Sequence, residues 1–395
     1  MNVLIVPSWY EARPGAQLGS FFREQALALK RSGCNVIVAD ATFQSMKSLK
    51  GKKLFSIQKK DDEGLLTYSY LVPTFGLMRT PKLGAKVYAK NLDRLFRSIG
   101  KDGHKIDVIH AHSFYCAGVA ATRIGKKYGI PVVVTEHSSA ILSKKLDDQK
   151  ADLLRETVEK CEKFICVGNG LKNAVIEYTK TAKDITVIPN MVDKMFNYTE
   201  EKGSDTFFFV SIGNLIQGKR FDLTIQAFAR VFKDNHNVML TIIGDGPLKD
   251  NLRNLAKEQG VETQVIFTGR LNRNSVAQEL QKSNAFVLAS DYETFGVVYI
   301  EAMACGNPVI GTRNGGADDI INDDCGILVD VNDVDQLAHA MMKLFSAYKS
   351  YDRKNIADQC DNQYGEKAIS TQIKVVYNDI IKAGEYNNGS FNKEN

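Results

Sequence analysis

The sequence predicts an α/β protein made of two consecutive domains, each a doubly wound parallel sheet. Three observations carry that expectation. The chain has 395 residues, 44% of them hydrophobic, enough to bury two ordinary cores. Short β-branched runs alternate with amphipathic helical runs, the pattern of parallel βαβ units covered on both faces. Between two such series, from Val187-Ile188-Pro189-Asn190 to about Gly203, the periodicity lapses and polar residues gather, as in an interdomain linker.

In the first series Val3 to Val6 is a strand, Gly19 to Arg31 a helix ended by Gly33, and Asn35 to Ala39 the next strand. Val108–Ala111, Val132–Thr135 and Phe164–Val167 are further strands, with helices at about 117–128 and 150–162. The stretches 41–62 and 72–84 are expected to be variable loops. The second series runs strand Phe207–Ile212, helix 221–233, strand Val238–Ile243, helix 247–258, strand Val265–Phe267, helix 274–282, strand Ala285–Ala289, helix 296–304 and strand Val309–Gly311. The expected domains are therefore 1–190 and 204–365, with a helix at 366–382 completing the first and a polar, disordered tail at 383–395.

Composition narrows the function classes. No basic n-region precedes the first strand and no apolar run approaches the ~18 residues that cross a bilayer, so neither a signal peptide nor a span is expected. Seven cysteines form no C-x-x-C pair and most lie in apolar patterns, as reduced core residues of a cytoplasmic protein do. The net charge of +5 is unevenly placed: residues 1–190 hold 30 Lys and Arg against 18 Asp and Glu, the remainder 21 against 28. A basic first half suits a polyprenyl-phosphate carrier or peripheral attachment to an anionic membrane face, each surface cation gaining ~1 kcal/mol there. An ordinary solvated lysine surface fits as well. Nucleic acid is not an expected partner, because no basic helix with interleaved aromatics appears.

Ligands of open parallel sheets bind beyond the carboxyl ends of the strands. After Ala285–Ala289 the chain reads Ser290-Asp291-Tyr292-Glu293-Thr294-Phe295-Gly296 and enters a helix containing Glu301. Unpaired amides at that helix start offer a phosphate site. Glu293 lies beside it, and Glu301 leans back toward it from the helix, so two carboxylates face one cleft where hydroxyl groups can be held.

Glu293 and Glu301, with Glu301-Ala302-Met303-Ala304-Cys305-Gly306-Asn307-Pro308-Val309, resemble glycosyltransferase family 4, whose signature is E-x(7)-E followed by EAMA-x-G-x-PV. The resemblance implies the GT-B fold, two Rossmann-like domains facing across a cleft, and a retaining transferase using a UDP- or GDP-linked hexose. It gives Glu293 the hydroxyls of the transferred sugar, Glu301 the ribose, and the backbone of Phe295, Gly296 and Val297 the diphosphate. In Gly213-Asn214-Leu215-Ile216-Gln217-Gly218-Lys219-Arg220, Lys219 matches the family's diphosphate-neutralising lysine, whereas Asn214 stands where an arginine is usual; Arg220 is the candidate to supply that charge. Gly244, in Ile243-Gly244-Asp245-Gly246-Pro247, matches a turn that lets backbone approach a ligand, and Gly269-Arg270 falls where the family seats the base. Gly315-Gly316-Ala317-Asp318 departs from the family's GG-x-P-E loop.

In the first half, Gly19 is the candidate for a helix-start glycine against the donor phosphates; no G-x-G-x-x-G fingerprint is present. His137, after strand Val132–Thr135, takes the position of the family's sugar-contacting histidine, and His112 is a weaker candidate for the acceptor side. Lys219, Glu293 and His137 are thus the candidate catalytic residues. No cofactor and no metal are expected: the resemblance implies a leaving diphosphate that takes the acceptor proton, with Lys219 and the helix end supplying the positive field. The expected acceptor is a glycan or a lipid-linked sugar of surface polysaccharide synthesis. A non-catalytic partner subunit, suggested by Asn214, and another GT-B enzyme such as a UDP-sugar epimerase are the alternatives.

Overall fold

The structure, a computed structural model, describes residues 1–10, 20–44, 53–74, 76–200 and 205–391. The chain divides into two compact units, Met1–Val167 with Leu171–Pro189 and Ile369–Asn395, and Asn190–Ala368 with Gly168–Gly170.

The strands of the first unit are β1 (Asn2–Pro7), β2 (Asn35–Asp40), β3 (Phe43–Gln44), β4 (Ile57–Asp62), β5 (Leu65–Tyr70), β6 (Val72–Pro73), β7 (Val108–His112), β8 (Val132–Glu136), β9 (Lys163–Cys166) and β10 (Ile185–Val187). Its main sheet has the order β10-β9-β8-β7-β1-β2-β5-β4, parallel except for the last pair. β1, β7 and β8 are almost wholly buried, as strands with helices on both faces must be. The helices are α1 (Ser20–Arg31), α2 (Pro81–Lys101), α3 (Val119–Tyr128), α4 (Ser139–Leu142), α5 (Asp148–Lys160) and α6 (Asn169–Thr179).

Part of this was not foreseen. The stretch 41–62, expected as a loop, contains β3 and β4. β4 is an edge strand of sequence IQKKDD, whose buried residue is Asp62 rather than an apolar one. Arg23 of α1 meets it with Nε 2.7 Å from Oδ2, both side chains nearly inaccessible. In 72–84 the chain forms β6 and then enters α2, which has Pro81 at its first turn, the position where a missing N–H is harmless.

The second unit pairs β11 (Phe207–Ile212), β12 (Val238–Ile243), β13 (Val265–Gly269), β14 (Ala285–Leu288), β15 (Val309–Thr312) and β16 (Gly326–Val329) in the order β13-β12-β11-β14-β15-β16, all parallel. Its helices are α7 (Phe221–Phe232), α8 (Lys249–Glu258), α9 (Arg273–Lys282), α10 (Val297–Ala304), α11 (Val334–Ala347) and α12 (Arg353–Tyr364). The strand order reverses between β11 and β14, so their carboxyl ends flank the crevice that such sheets offer to ligands. In the first unit the reversal lies between β1 and β7.

The last helix, α13 (Glu366–Phe391), extends beyond Gly384, where a disordered tail was expected. Ile369, Ile373 and Tyr377 are buried, and Tyr377 Oη lies 2.6 Å from His110 Nδ1, so this helix packs into the first unit. All seven cysteines are unpaired and buried. Among the described residues no helix is long and apolar enough to cross a membrane.

Candidate active site

At the switch point of the second unit three predicted groups come together. The loop after β14 brings Glu293 to Lys219, whose Nζ is 2.5 Å from Oε1, and Ser290 Oγ donates to the same oxygen at 2.9 Å. Glu293 is also close to the start of α10. A Cβ built on Gly296 would lie 3.8 Å from Glu293 Cγ. Gly296 has φ 93°, and that Cβ would come within 2.5 Å of the Tyr299 ring, so both conformation and space demand glycine. No side chain caps α10 at Gly296. The helix therefore opens with uncovered amides and the positive end of its dipole beside a lysine, the ingredients of a phosphate site. Phe295 turns its ring into the core against Tyr364, at 5.6 Å, leaving its main chain at the site.

Gly213 follows β11 and Gly244 follows β12. A Cβ on Gly244, whose φ is 154°, would fall 1.8 Å from Gly213 O, so this glycine lets the two strand ends pack tightly. Asn214 and Arg270 are both exposed, and the Arg270 guanidinium reaches Asn214 Oδ1 at 3.5 Å. Gly269, just before it, has φ 74°. Arg220 is engaged elsewhere: its guanidinium contacts Asp222 at 3.1 Å and Asp291 at 3.3 Å. The cation that stands next to Asn214 is thus Arg270, while Arg220 is neutralised by two carboxylates.

Glu301 is buried, with Oε1 3.3 Å from Arg273 Nη1. Burial pushes its carboxyl up to about 7 even though Arg273 opposes the shift. Asp193 contacts the same guanidinium at 3.5 Å, and the Arg273 side chain also covers the Phe196 ring. The loop Asn314–Asp318 is braced internally: Asn314 Oδ1 accepts from the amides of Gly316 and Ala317, and Asp318 from that of Gly315.

In the first unit His137 follows β8. Its Nε2 is 3.2 Å from His112 Nδ1, and the Phe21 and Phe22 rings pack at 5.1 and 5.2 Å. Burial holds His112 well below the ordinary histidine value, and His110 is lowered to about 3 for the same reason. Gly19 lies outside the described residues.

Several residues matter that the sequence did not single out. Glu136, fully buried, accepts from the amides of Phe114 (2.6 Å), His137 (2.9 Å) and Ser138 (2.6 Å). It ties the loop after β7 to the loop after β8, including Ser113 with φ 68°. Burial raises its carboxyl against the pull of those amides. Arg273 and Asp291 acquire meaning only through the partners just given. A glutamate ending an otherwise apolar strand was the one signal in the sequence.

Comparison with known proteins bears on the family and the fold. A family model described as Glycosyltransferase Family 4 matches residues 18–195, and one described as Glycosyl transferases group 1 matches residues 196–359. The two matched models and the fold define a glycosyltransferase of the GT-B class. The chain belongs to glycosyltransferase family 4. N-acetyl-alpha-D-glucosaminyl L-malate synthase of Bacillus anthracis is 29% identical over 295 residues, 70% of this chain and 76% of the relative. Among solved structures, sucrose-phosphate synthase of Thermosynechococcus elongatus superposes with TM-score 0.78 at 19% identity, over 97% of this chain and all of that one. Anabaena HepE in complex with UDP and glucose gives 0.72 at 18%, over 96% of this chain and 100% of that one.

Proposed function

We propose that the chain is a retaining hexosyltransferase that takes a hexose from a UDP- or GDP-sugar and passes it to a glycan or lipid-linked acceptor in surface polysaccharide synthesis. The observation that carries this is the Lys219–Glu293 pair at 2.5 Å beside the uncapped start of α10. When a sugar diphosphate arrives, Lys219 exchanges Glu293 for phosphate oxygens. Glu293, held by Ser290, turns its carboxylate to hydroxyls of the sugar, and the amides at Gly296 and Val297 meet the diphosphate. As the sugar departs, negative charge grows on the diphosphate. A fixed cation and a helix end stabilise that charge more than they stabilise the ground state, which is the requirement for catalysis. The diphosphate, once it carries that charge, accepts the proton of the acceptor hydroxyl on the face it left, so configuration is retained without a protein nucleophile. His137 takes the sugar-contacting role that family resemblance gives it, and no metal or other cofactor is assigned.

Two measurements test this. Nucleoside diphosphates should raise the melting temperature, because a ligand of the native state stabilises by mass action; no response to UDP, GDP or ADP would remove the reading. Lys219→Ala should lower turnover of the matching sugar nucleotide by ~10²–10³ with the melt nearly unchanged. Turnover close to that of the parent would reject the assignment.

A further inference from the structure

The first unit contains a cavity of about 310 Å3 walled by Trp9, Phe43, Tyr88, Phe114 and Tyr115. It lies at the carboxyl ends of β1, β7 and β8. This is where the strand order of that sheet reverses, the place where open α/β sheets take ligands. Its chemistry is specific. Five aromatic residues form the walls; three of the six lining hydroxyls donate to the protein's own carbonyls, and Ser113 Oγ and Tyr115 Oη are buried with no hydrogen-bond partner among the described residues. Ser8 Oγ donates to Tyr115 O at 2.7 Å, Tyr88 Oη to Pro7 O at 2.6 Å and Thr74 Oγ1 to Gln44 O at 2.9 Å, while Ser138 Oγ accepts from Ala140 N. No described lining residue is charged. A polyhydroxylated or anionic occupant would lose its hydration there and find few hydroxyls, Ser113 and Tyr115 chief among them, to replace it, whereas an apolar one gains about 25 cal/mol for each Å2 removed from water. The volume is roughly twice the ~150 Å3 of an apolar cavity that admits benzene.

We propose that this cavity seats an uncharged alkyl or aryl group carried by the acceptor, so that the acceptor is an amphiphile recognised by its apolar end. Its naming as an acceptor rests on the transferase reading above; the cavity's preference for apolar groups does not. Trp9 is the chain's single tryptophan and part of the wall, so its emission reports occupancy without any turnover.

The experiment is a titration of Trp9 fluorescence in the full chain with octyl β-glucoside below its micelle concentration and with benzyl β-glucoside, against glucose and malate. A saturable change with either glycoside, and none with glucose or malate, is expected. Response to octyl alone identifies a lipid chain, and to benzyl alone an aromatic aglycone. No saturable change with either, or equal changes with glucose or malate, overturns the proposal. Thr74→Phe should fill the cavity and weaken the glycoside response at least tenfold, while the melting shift with nucleoside diphosphates, a property of the other unit, stays as in the parent. Phe43→Ala, which removes a wall without adding bulk, should weaken the response as well. Unaltered binding in both variants overturns the proposal. If nucleotides fail to bind but Trp9 responds as expected, the transferase reading falls and the apolar site stands.

Discussion

Position 214 shows how one residue can change meaning with its neighbours. An asparagine where family members usually have arginine suggests a missing charge, and Arg220, the nearest arginine in sequence, cannot fill it while Asp222 and Asp291 hold its guanidinium. Arg270 arrives from the end of a different strand and touches Asn214 itself. If Arg270 has taken over the second charge facing the diphosphate, Arg270→Ala should lower turnover by ~10²-fold, within the range for loss of one such donor. Adding Asn214→Arg to that variant should recover most of the loss. A single-turnover assay of parent, single and double variants checks this. Loss without recovery would mean that Arg270 serves only the base, and no loss would mean that it serves neither.

At the scale of elements, the loops after β7 and β8 depend on Glu136. Three amides converge on its carboxylate in a fully buried setting. Glu136→Gln keeps the shape but replaces one acceptor oxygen with a donor, so at least one amide loses its partner and meets another N–H. A buried group left unsatisfied costs ~1–3 kcal/mol, and chemical denaturation should show a loss of that order. A midpoint equal to the parent's would show that water or a shift of the loop replaces the carboxylate. The same element shows what the sequence could and could not disclose. β1, β7, β8 and most of the second sheet were legible because strands covered on both faces read as short, largely apolar and β-branched runs. Lys219, Glu293 and Glu301 were picked out because their spacing repeats a family pattern; the fold pairs the first two and sets Glu301 against Arg273. β4 was hidden, since its sequence is charged and its buried Asp62 is explained by Arg23, 39 residues earlier. Glu136, Arg273 and Asp291 were hidden for a related reason: each draws its role from partners brought near by folding, which neither periodicity nor composition records.

For the whole molecule, two electrostatic properties follow from charge placement. The excess of lysine and arginine before residue 190 should let the chain sediment with anionic vesicles at low salt and release it as the Debye length falls from ~10 Å at 0.1 M to ~3 Å at 1 M. Binding indifferent to salt would separate attachment from this surface. The second property concerns pH and stability. Glu301 ionises near its ordinary value of 4.5 once unfolded but at about 7 in the native state, because burial disfavours its carboxylate more than Arg273 favours it. Between those values the native state binds more protons than the unfolded state, so this group's contribution to stability is fully present below about 4.5, declines as pH rises, and is lost above about 7. The slope cannot exceed ~1.4 kcal/mol per pH unit for one proton. Glu301→Gln, which keeps the shape without the titration, should flatten that part of the stability curve. Denaturation midpoints of parent and variant at pH 5, 6, 7 and 8 are therefore expected to diverge through the acidic range and run parallel above it, and curves parallel throughout would show that Arg273 holds the carboxylate ionised in the native state.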